Sequence, residues 1–403
     1  MAGLLWGRVY YHDSFVGYLR EEPGDRYSFA YDESYQAANL PPIAYTLPLR
    51  SSPFISQSRL HPFFDNLVAE GWLENAQMRL LGRRESSRFR ILLAFGQDCI
   101  GAVSIVNSDP EILTSSLMDE NDEKELAVMT SRASLSGVQP KLALLKDKGK
   151  FRPAKIGEIS TYIGKFPSKN HDDLVVNEYL TTLAYKSLVP DDDVVSLEVG
   201  EIEGISEQAL LIKRFDRTLE GGKVHFEEFN QLLDRLSENK YEGSYQEMAD
   251  FILNTPGCLP TEVYRLYKRI IAEFLLGNTD MHLKNFAMFH TPNGFRLTPT
   301  YDQVAAIIYN YKTVALSVLG AKDMPLGNLK PQHIIKLGEG FKLSKAVIKM
   351  ACDQLTGNIE KAQETIYEAD LGTLILKDKL IEMVKKRWNG TFSLIGKALS
   401  TKP

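Results

Sequence analysis

Cysteine is scarce, positive charge is not in excess, and no apolar run is long. Three cysteines in 403 residues, Cys99, Cys258 and Cys352, are odd in number and far apart, which fits neither a disulfide framework nor a zinc knuckle. A reducing cytoplasm is the compartment this implies. With 47 Lys and Arg against 52 Asp and Glu, the net charge is -5 and the pI about 5.9. Such a chain has no global basic footprint with which to hold a nucleic-acid backbone by counterion release, and direct DNA contact by this chain alone is not expected. No stretch approaches the roughly 18 apolar residues of a membrane span. The opening MAGLLWGRVYYHD also lacks the basic region that precedes the apolar core of an export leader. A soluble, unexported protein with no membrane contact is expected. Glycine-rich nucleotide loops are missing as well: there is no G-x-G-x-x-G. GEISTYIGKF places six residues between Gly157 and Gly164, with Phe166 where a Walker loop needs Ser or Thr.

What is present is ordinary globular composition, 44% hydrophobic and 25% charged, enough for two or three cores. The opening alternates like strands at Leu5, Gly7, Val9 and Tyr11, then Phe15, Gly17 and Leu19, then Tyr27, Phe29 and Tyr31. HPFFDNLVAEGWLENAQMRLL has helical spacing, with Pro62 suited to the helix start. CIGAVSIV reads as a strand, and the polar, acidic residues 108 to 125 mark a boundary. From Leu135 to Phe215 the pattern is a sheet with one helix: LALLKD, FRPAKI, TYIGKF, then VVNEYLTTLAYKSL, then VVSLEVG and QALLIKRF. Beyond Arg217, HFEEFNQLLDRL, YQEMADFIL and TEVYRLYKRIIAEFLLG read as helices, and helices dominate to the end around one hairpin. The expected organisation is a β-rich module over 1–108, an α+β lobe over 126–217 and a helical lobe over 218–403. Asp191 to Asp193 read as a solvated loop.

The helix from Glu262 should stop at Gly277, with Asp280 on the loop just beyond. NFAMFHTPNGFRLTPTYDQ follows, two short strands joined by the turn residues PNG, so a hairpin returns Asp302 towards Asp280 and Asn285. Phosphoryl transfer needs such a convergence. One carboxylate orients the attacking hydroxyl and accepts its proton, while a second carboxylate and an amide oxygen hold Mg²⁺. Asp280 and Asn285 have the D-x-x-x-x-N offset of kinase catalytic loops, although NTD and YDQ replace the usual HRD and DFG. Lys165, after an apolar strand, is a candidate phosphate ligand, and Glu178, near the start of the next helix, its ion-pair partner.

SLSGVQPKLAL, YIGKFP with the later NEY, LLIKRFDR, GNTDMHLKNF and TPTYDQ, in this order and spacing, resemble the HipA-like serine/threonine kinases, the toxin half of bacterial toxin-antitoxin pairs. YTLPLR and PFFDNLVAEG look like that family's amino-terminal segment, so the resemblance covers nearly the whole chain. It implies an α+β, bilobal protein-kinase-like fold of the HipA type, with a small β-rich N-terminal subdomain and an all-helical C-terminal lobe. It also implies ATP and Mg as cofactors and autophosphorylation on a loop serine. Asp280 matches the catalytic aspartate, Asn285 and Asp302 the metal ligands, Lys165 the phosphate-contacting lysine and His282 a nucleotide-contacting histidine. Gly137, Val138, Gln139 and Lys141 belong to the loop over the phosphates. The strand around Lys213 and Phe215 matches the adenine hinge, acting through main-chain groups. Ser134 and Ser136 compete as the modified serine, where nearly two added negative charges cannot share a pocket with ATP phosphates. The implied partners are a helix-turn-helix DNA-binding antitoxin, with DNA reached only through it, and a protein substrate such as an aminoacyl-tRNA synthetase. An antitoxin-binding corepressor with little kinase activity and a small-molecule kinase are the alternatives.

Overall fold

The computed structural model describes residues 4–82, 87–108, 123–131, 133–135, 137–168, 170–218 and 220–400. The chain forms two compact units, Met1–Ser168 with Leu197–Asn239, and Lys169–Ser196 with Lys240–Pro403.

The first unit holds two sheets. The alternating N-terminal segment forms β1 (Trp6–Tyr11), β2 (Ser14–Glu22) and β3 (Arg26–Tyr31), which β4 (Phe54–Gln57) and β5 (Val103–Asn107) extend in the order β4-β3-β2-β1-β5. Gly7, Leu19, Phe29 and Phe54 fall opposite one another across four strands and so share one face. The apolar helix Arg88–Phe95 lies on that face, and a Cβ at Gly7 would stand only 2.6 Å from Leu93. The second sheet is a closed barrel of β6 (Lys141–Asp147), β7 (Lys150–Pro153), β8 (Tyr162–Lys165), β9 (Leu197–Ile202) and β10 (Ile205–Lys213). Its strand order is β10-β8-β6-β7-β9, closed by a parallel contact of Phe151 with Ile202. Leu144, Phe151, Ile202 and Leu211 are buried, and Gly164 leaves room for Leu144 and Ile202.

Two segments with helical spacing fold differently. Residues 62–81 are not one helix but Pro62–Asp65 and Gly71–Leu80. The break ends at Gly71, whose φ of 61° and closeness to Val138, 2.8 Å from where a Cβ would stand, exclude other residues. HFEEFNQLLDRL begins as the strand Phe226–Glu228 and becomes helical only over Phe229–Leu232, where Glu228 and Gln231 form a capping box.

The second unit is helical around a single hairpin of Ala287–Thr291 and Gly294–Leu297, with Pro292 and Asn293 at its tip. The helix Leu174–Leu188, which the sequence groups with the sheet on either side of it, belongs here and packs on Lys345–Glu368. The triplet Asp191 to Asp193 is solvated at its ends, where Asp191 and Asp193 are exposed, but not at its centre. Asp192 is buried and accepts from Arg269 at 2.6 and 2.7 Å and from the Tyr185 hydroxyl at 2.8 Å, while Lys268 reaches Asp191 at 2.6 Å. Among the described residues no helix is long and apolar enough to cross a membrane.

Candidate active site

The helix Pro260–Leu276 starts with proline in its first turn and buries Val263, Leu266, Tyr267, Ile270, Ile271, Phe274 and Leu275. It ends at Gly277, in the left-handed conformation at φ 79°. A Cβ there would meet Met383 at 2.7 Å and Ile307 at 2.8 Å, so glycine is required by packing as well as by backbone. The loop beyond is tightly bonded. The Asp280 amide donates to Asn278 Oδ1 at 3.0 Å, and its carbonyl accepts from the His282 amide at 2.9 Å and from Asn285 Nδ2 at 2.8 Å. A short turn over Leu283–Asn285 follows, capped by His282 Nδ1, which accepts from the Lys284 amide at 3.3 Å. Because Asn285 spends its amide nitrogen on Asp280, its oxygen is the atom that could take a cation. Asp302, delivered by the hairpin, has a positive φ of 61°, costly for a residue with a Cβ. Its carbonyl accepts from Asn278 Nδ2 at 3.2 Å.

Although the Asp280 residue is exposed, desolvation by the groups packed around its carboxyl raises the pKa, and the Asp302 charge adds to the effect. The Tyr241 hydroxyl, donating to Oδ1 at 2.9 Å, and the Lys240 ammonium oppose that rise. Tyr241 also meets the His282 ring edge-on at 5.0 Å. Neither Tyr241 nor Asn278 is signalled by sequence pattern. Tyr241 lies 39 residues before Asp280, and Asn278 looks like any polar loop residue until its three bonds are seen.

Beneath the loop, Glu273 accepts from Asn278 Nδ2 at 3.0 Å and is also hydrogen-bonded to Gln303. Burial pushes its pKa up to about 8, further than these donors can pull it back. A carboxyl whose folded pKa exceeds its unfolded value contributes stability below the unfolded value of 4.5 and loses that contribution as pH rises through about 8. Glu273→Gln should therefore gain stability relative to the natural protein between pH 4.5 and 8, then level off. Melting temperatures of both proteins across that range test it, and a difference that does not vary with pH rules it out.

Of the first-unit residues, Gly137 to Lys141 and Lys165 lie around the start of β6, whereas Lys213 and Phe215 lie towards the opposite end of β8. Lys141 and Lys165 stand directly opposite each other on β6 and β8, both buried. Gly137 has φ 102°, and the Lys141 ammonium packs where its Cβ would be. The loop is pinned on two sides. Gln139 donates to the Phe166 carbonyl at 2.8 Å, and the Val138 carbonyl accepts from the Trp72 amide at 3.4 Å. Ser134 is buried, with its hydroxyl donating to the Leu67 carbonyl at 2.6 Å; Ser136 lies outside the described residues. Lys213 is exposed and pairs with Tyr162, and the Phe215 ring packs on Phe226 at 5.0 Å. Lys165 belongs to the first unit and Glu178, buried in its helix, to the second.

The sequence matches the HipA-like C-terminal domain over residues 133–363 and the HipA N-terminal domain over residues 7–106. The chain belongs to the HipA-like family. It is 30% identical over 388 residues to Y4dM of Sinorhizobium fredii, covering 88% of this chain and 90% of that protein. The serine/threonine-protein kinase toxin HipA of Shewanella oneidensis is 26% identical over 333 residues, 74% of each chain. A solved complex of Shewanella oneidensis HipA, HipB and operator DNA contains a chain that superposes with a TM-score of 0.76 at 21% identity, covering 97% of this chain and 99% of that one. The mixed α+β, kinase-like HipA fold follows from this likeness.

Proposed function

We propose that this chain is the kinase toxin of a toxin-antitoxin pair, a serine/threonine kinase that uses ATP and Mg²⁺ to phosphorylate a protein target and itself. The observation that carries the reading is the meeting of two loops on one buried side chain: Asn278 bonds the Asp280 amide and the Asp302 carbonyl together, with Asn285 bonded to Asp280. Asp280, solvent-open beside a second carboxylate, is suited to orient a serine hydroxyl and take its proton. Asn285 and Asp302 are hard oxygen donors, the chemistry Mg²⁺ selects, and when bound the ion would offset charge on the phosphates. In the first unit, Lys141 and Lys165 stand directly opposite each other across the β6–β8 ladder and place two ammonium groups at one position, which fits phosphate. Gly137 lets the loop backbone come close. His282 is assigned to the nucleotide, and the main chain near Lys213 and Phe215 to the adenine.

A DNA-binding antitoxin is proposed as partner because the Shewanella HipA is found with HipB and operator DNA. The net charge of -5 agrees with DNA being reached through that partner. An aminoacyl-tRNA synthetase is the proposed class of protein target, and the cytoplasm the place of action. Purified chain incubated with radiolabelled ATP and Mg²⁺ should label itself, and peptide mass spectrometry should place phosphoserine at Ser134 or Ser136. Modifying Ser134 requires that its hydroxyl first leave the Leu67 carbonyl. No transfer to the chain or to any protein substrate would sink the proposal.

A further inference from the structure

Asn278 is not among the residues assigned to base, metal or nucleotide, yet it is 2% exposed and fully engaged. Its oxygen accepts from the Asp280 amide at 3.0 Å, and its nitrogen donates both to the Asp302 carbonyl at 3.2 Å and to Glu273 at 3.0 Å. Among the described hydrogen bonds, Tyr301 also joins the two loops, its hydroxyl donating to the Lys284 carbonyl at 2.8 Å, but Asn278 is the side chain that bonds the main chain of both aspartates. We propose that Asn278 is a positioning residue that yokes the Asp280 loop to the Asp302 loop, with Glu273 as its anchor on the helix Pro260–Leu276. The inference rests on the roles given above to Asp280 and Asp302.

The geometry explains why such a yoke is needed. Asp302 holds a φ of 61°, a conformation that persists only where the surroundings over-determine it. Bonds on both sides of Asp302 supply that determination. Before it, the Tyr301 hydroxyl donates to the Lys284 carbonyl at 2.8 Å. After it, Asn278 holds the Asp302 carbonyl, and Gln303 is completely buried, donates to Thr300 at 2.6 Å and accepts from Thr182 at 3.3 Å. Asn177, from the helix Leu174–Leu188, then brackets Ala305, accepting from its amide at 3.1 Å and donating to its carbonyl at 3.4 Å. Asn278 is the member of this set that also bonds the Asp280 main chain. Losing it frees Asp302 to relax towards ordinary dihedrals, which moves its carboxylate away from Asn285. A misplacement of about 1 Å in such a site costs on the order of 10²-fold in rate.

The test compares Asn278→Ala with the double variant Asn278→Asp/Glu273→Gln. The double variant exchanges donor and acceptor between positions 278 and 273, keeping the anchor and the acceptor for the Asp280 amide, but it removes the donor to the Asp302 carbonyl. Autophosphorylation rates are measured against Mg²⁺ concentration, with melting curves alongside. Both folded variants should show turnover lower by about 10- to 100-fold and a half-saturating Mg²⁺ concentration raised several-fold. If Asn278→Ala does not fold, the double variant decides alone. A folded variant with natural turnover overturns the yoke, and so does one that loses turnover while its Mg²⁺ requirement stays natural. Asp280→Asn and Asp302→Ala serve as controls. If they too retain activity, the site reading itself fails; if they are inactive while the Asn278 variants behave naturally, only the yoke fails.

Discussion

Asp280→Asn should fold like the natural protein and lose phosphoryl transfer by about 10²- to 10⁴-fold, the range typical of a removed general base. The fold should survive because the loop is built from groups the substitution keeps. The residue 280 amide still donates to Asn278, and its carbonyl still accepts from His282 and Asn285. The new amide oxygen can still accept from the Tyr241 hydroxyl, as Oδ1 does now. What disappears is the negative charge and the ability to take a proton, both of which matter only when a hydroxyl attacks. Initial rates of label transfer from ATP, with melting temperature as the control for folding, measure the effect. A variant within tenfold of the natural rate would remove Asp280 from the role of base.

Much of this site was legible in sequence because local chemistry carries it. Gly277 ends its helix in the left-handed conformation it was assigned, and PNG closes the hairpin that brings Asp302 back. Strands β1 to β3 follow from period-two alternation, whereas β4 carried no such signal and the barrel strands β6 and β10 hold runs of four buried residues instead. Long-range contacts were not legible. The helix expected over 62–81 is interrupted because Leu67, Gly71 and Trp72 must reach Ser134 and Val138, more than 60 residues later, and no local propensity encodes that demand. HFEE looked helical by spacing, but it is a strand whose Glu227 accepts from the Tyr45 amide at 2.7 Å. Asp191 and Asp193 keep the exposure their composition suggests, and only the opposing Arg269 makes Asp192 an interior ion-pair centre. Asn278 was invisible for the same reason, because its partners lie 5 residues back and 24 residues on.

Asp216→Ala should destabilise the first unit by about 3–5 kcal/mol, the usual effect of removing one partner from a buried ion cluster. LLIKRFDR entered as an adenine-hinge motif, but its alternate residues do different work. Lys213 is exposed, whereas Arg214, Asp216 and Arg217 are buried. Asp216 accepts from Arg214 at 2.9 and 2.7 Å, from Arg217 at 2.8 Å and from the Gly101 amide at 2.8 Å. Asp98 completes the cluster with Arg217 at 2.7 Å and Ser160 at 2.5 Å, and both arginines donate to the Cys99 carbonyl at 2.9 Å. The cluster therefore bolts residues 98–101, which lead into β5, to the end of the barrel strand β10. Alanine would leave two guanidinium groups with one carboxylate in a site that water does not reach. At about 2–4 °C per kcal/mol for a unit of this size, the melting temperature should fall by roughly 10 °C. Acid should act the same way on the natural protein. Burial raises the Asp216 pKa, but Arg214 and Arg217 outweigh it and hold the carboxyl down to about 2. A carboxyl depressed on folding contributes fully above its unfolded value of 3.8 and loses that contribution as pH falls towards about 2. Replacing Asp98, Arg214, Asp216 and Arg217 together with apolar residues of matched volume should cost less than Asp216→Ala, because no guanidinium is left stranded and the remaining Lys223 ammonium keeps its bonds to Val103 and Ser104. If thermal melts show the single variant unchanged, or the fourfold replacement worse than the single one, the cluster's charges are not what join these elements.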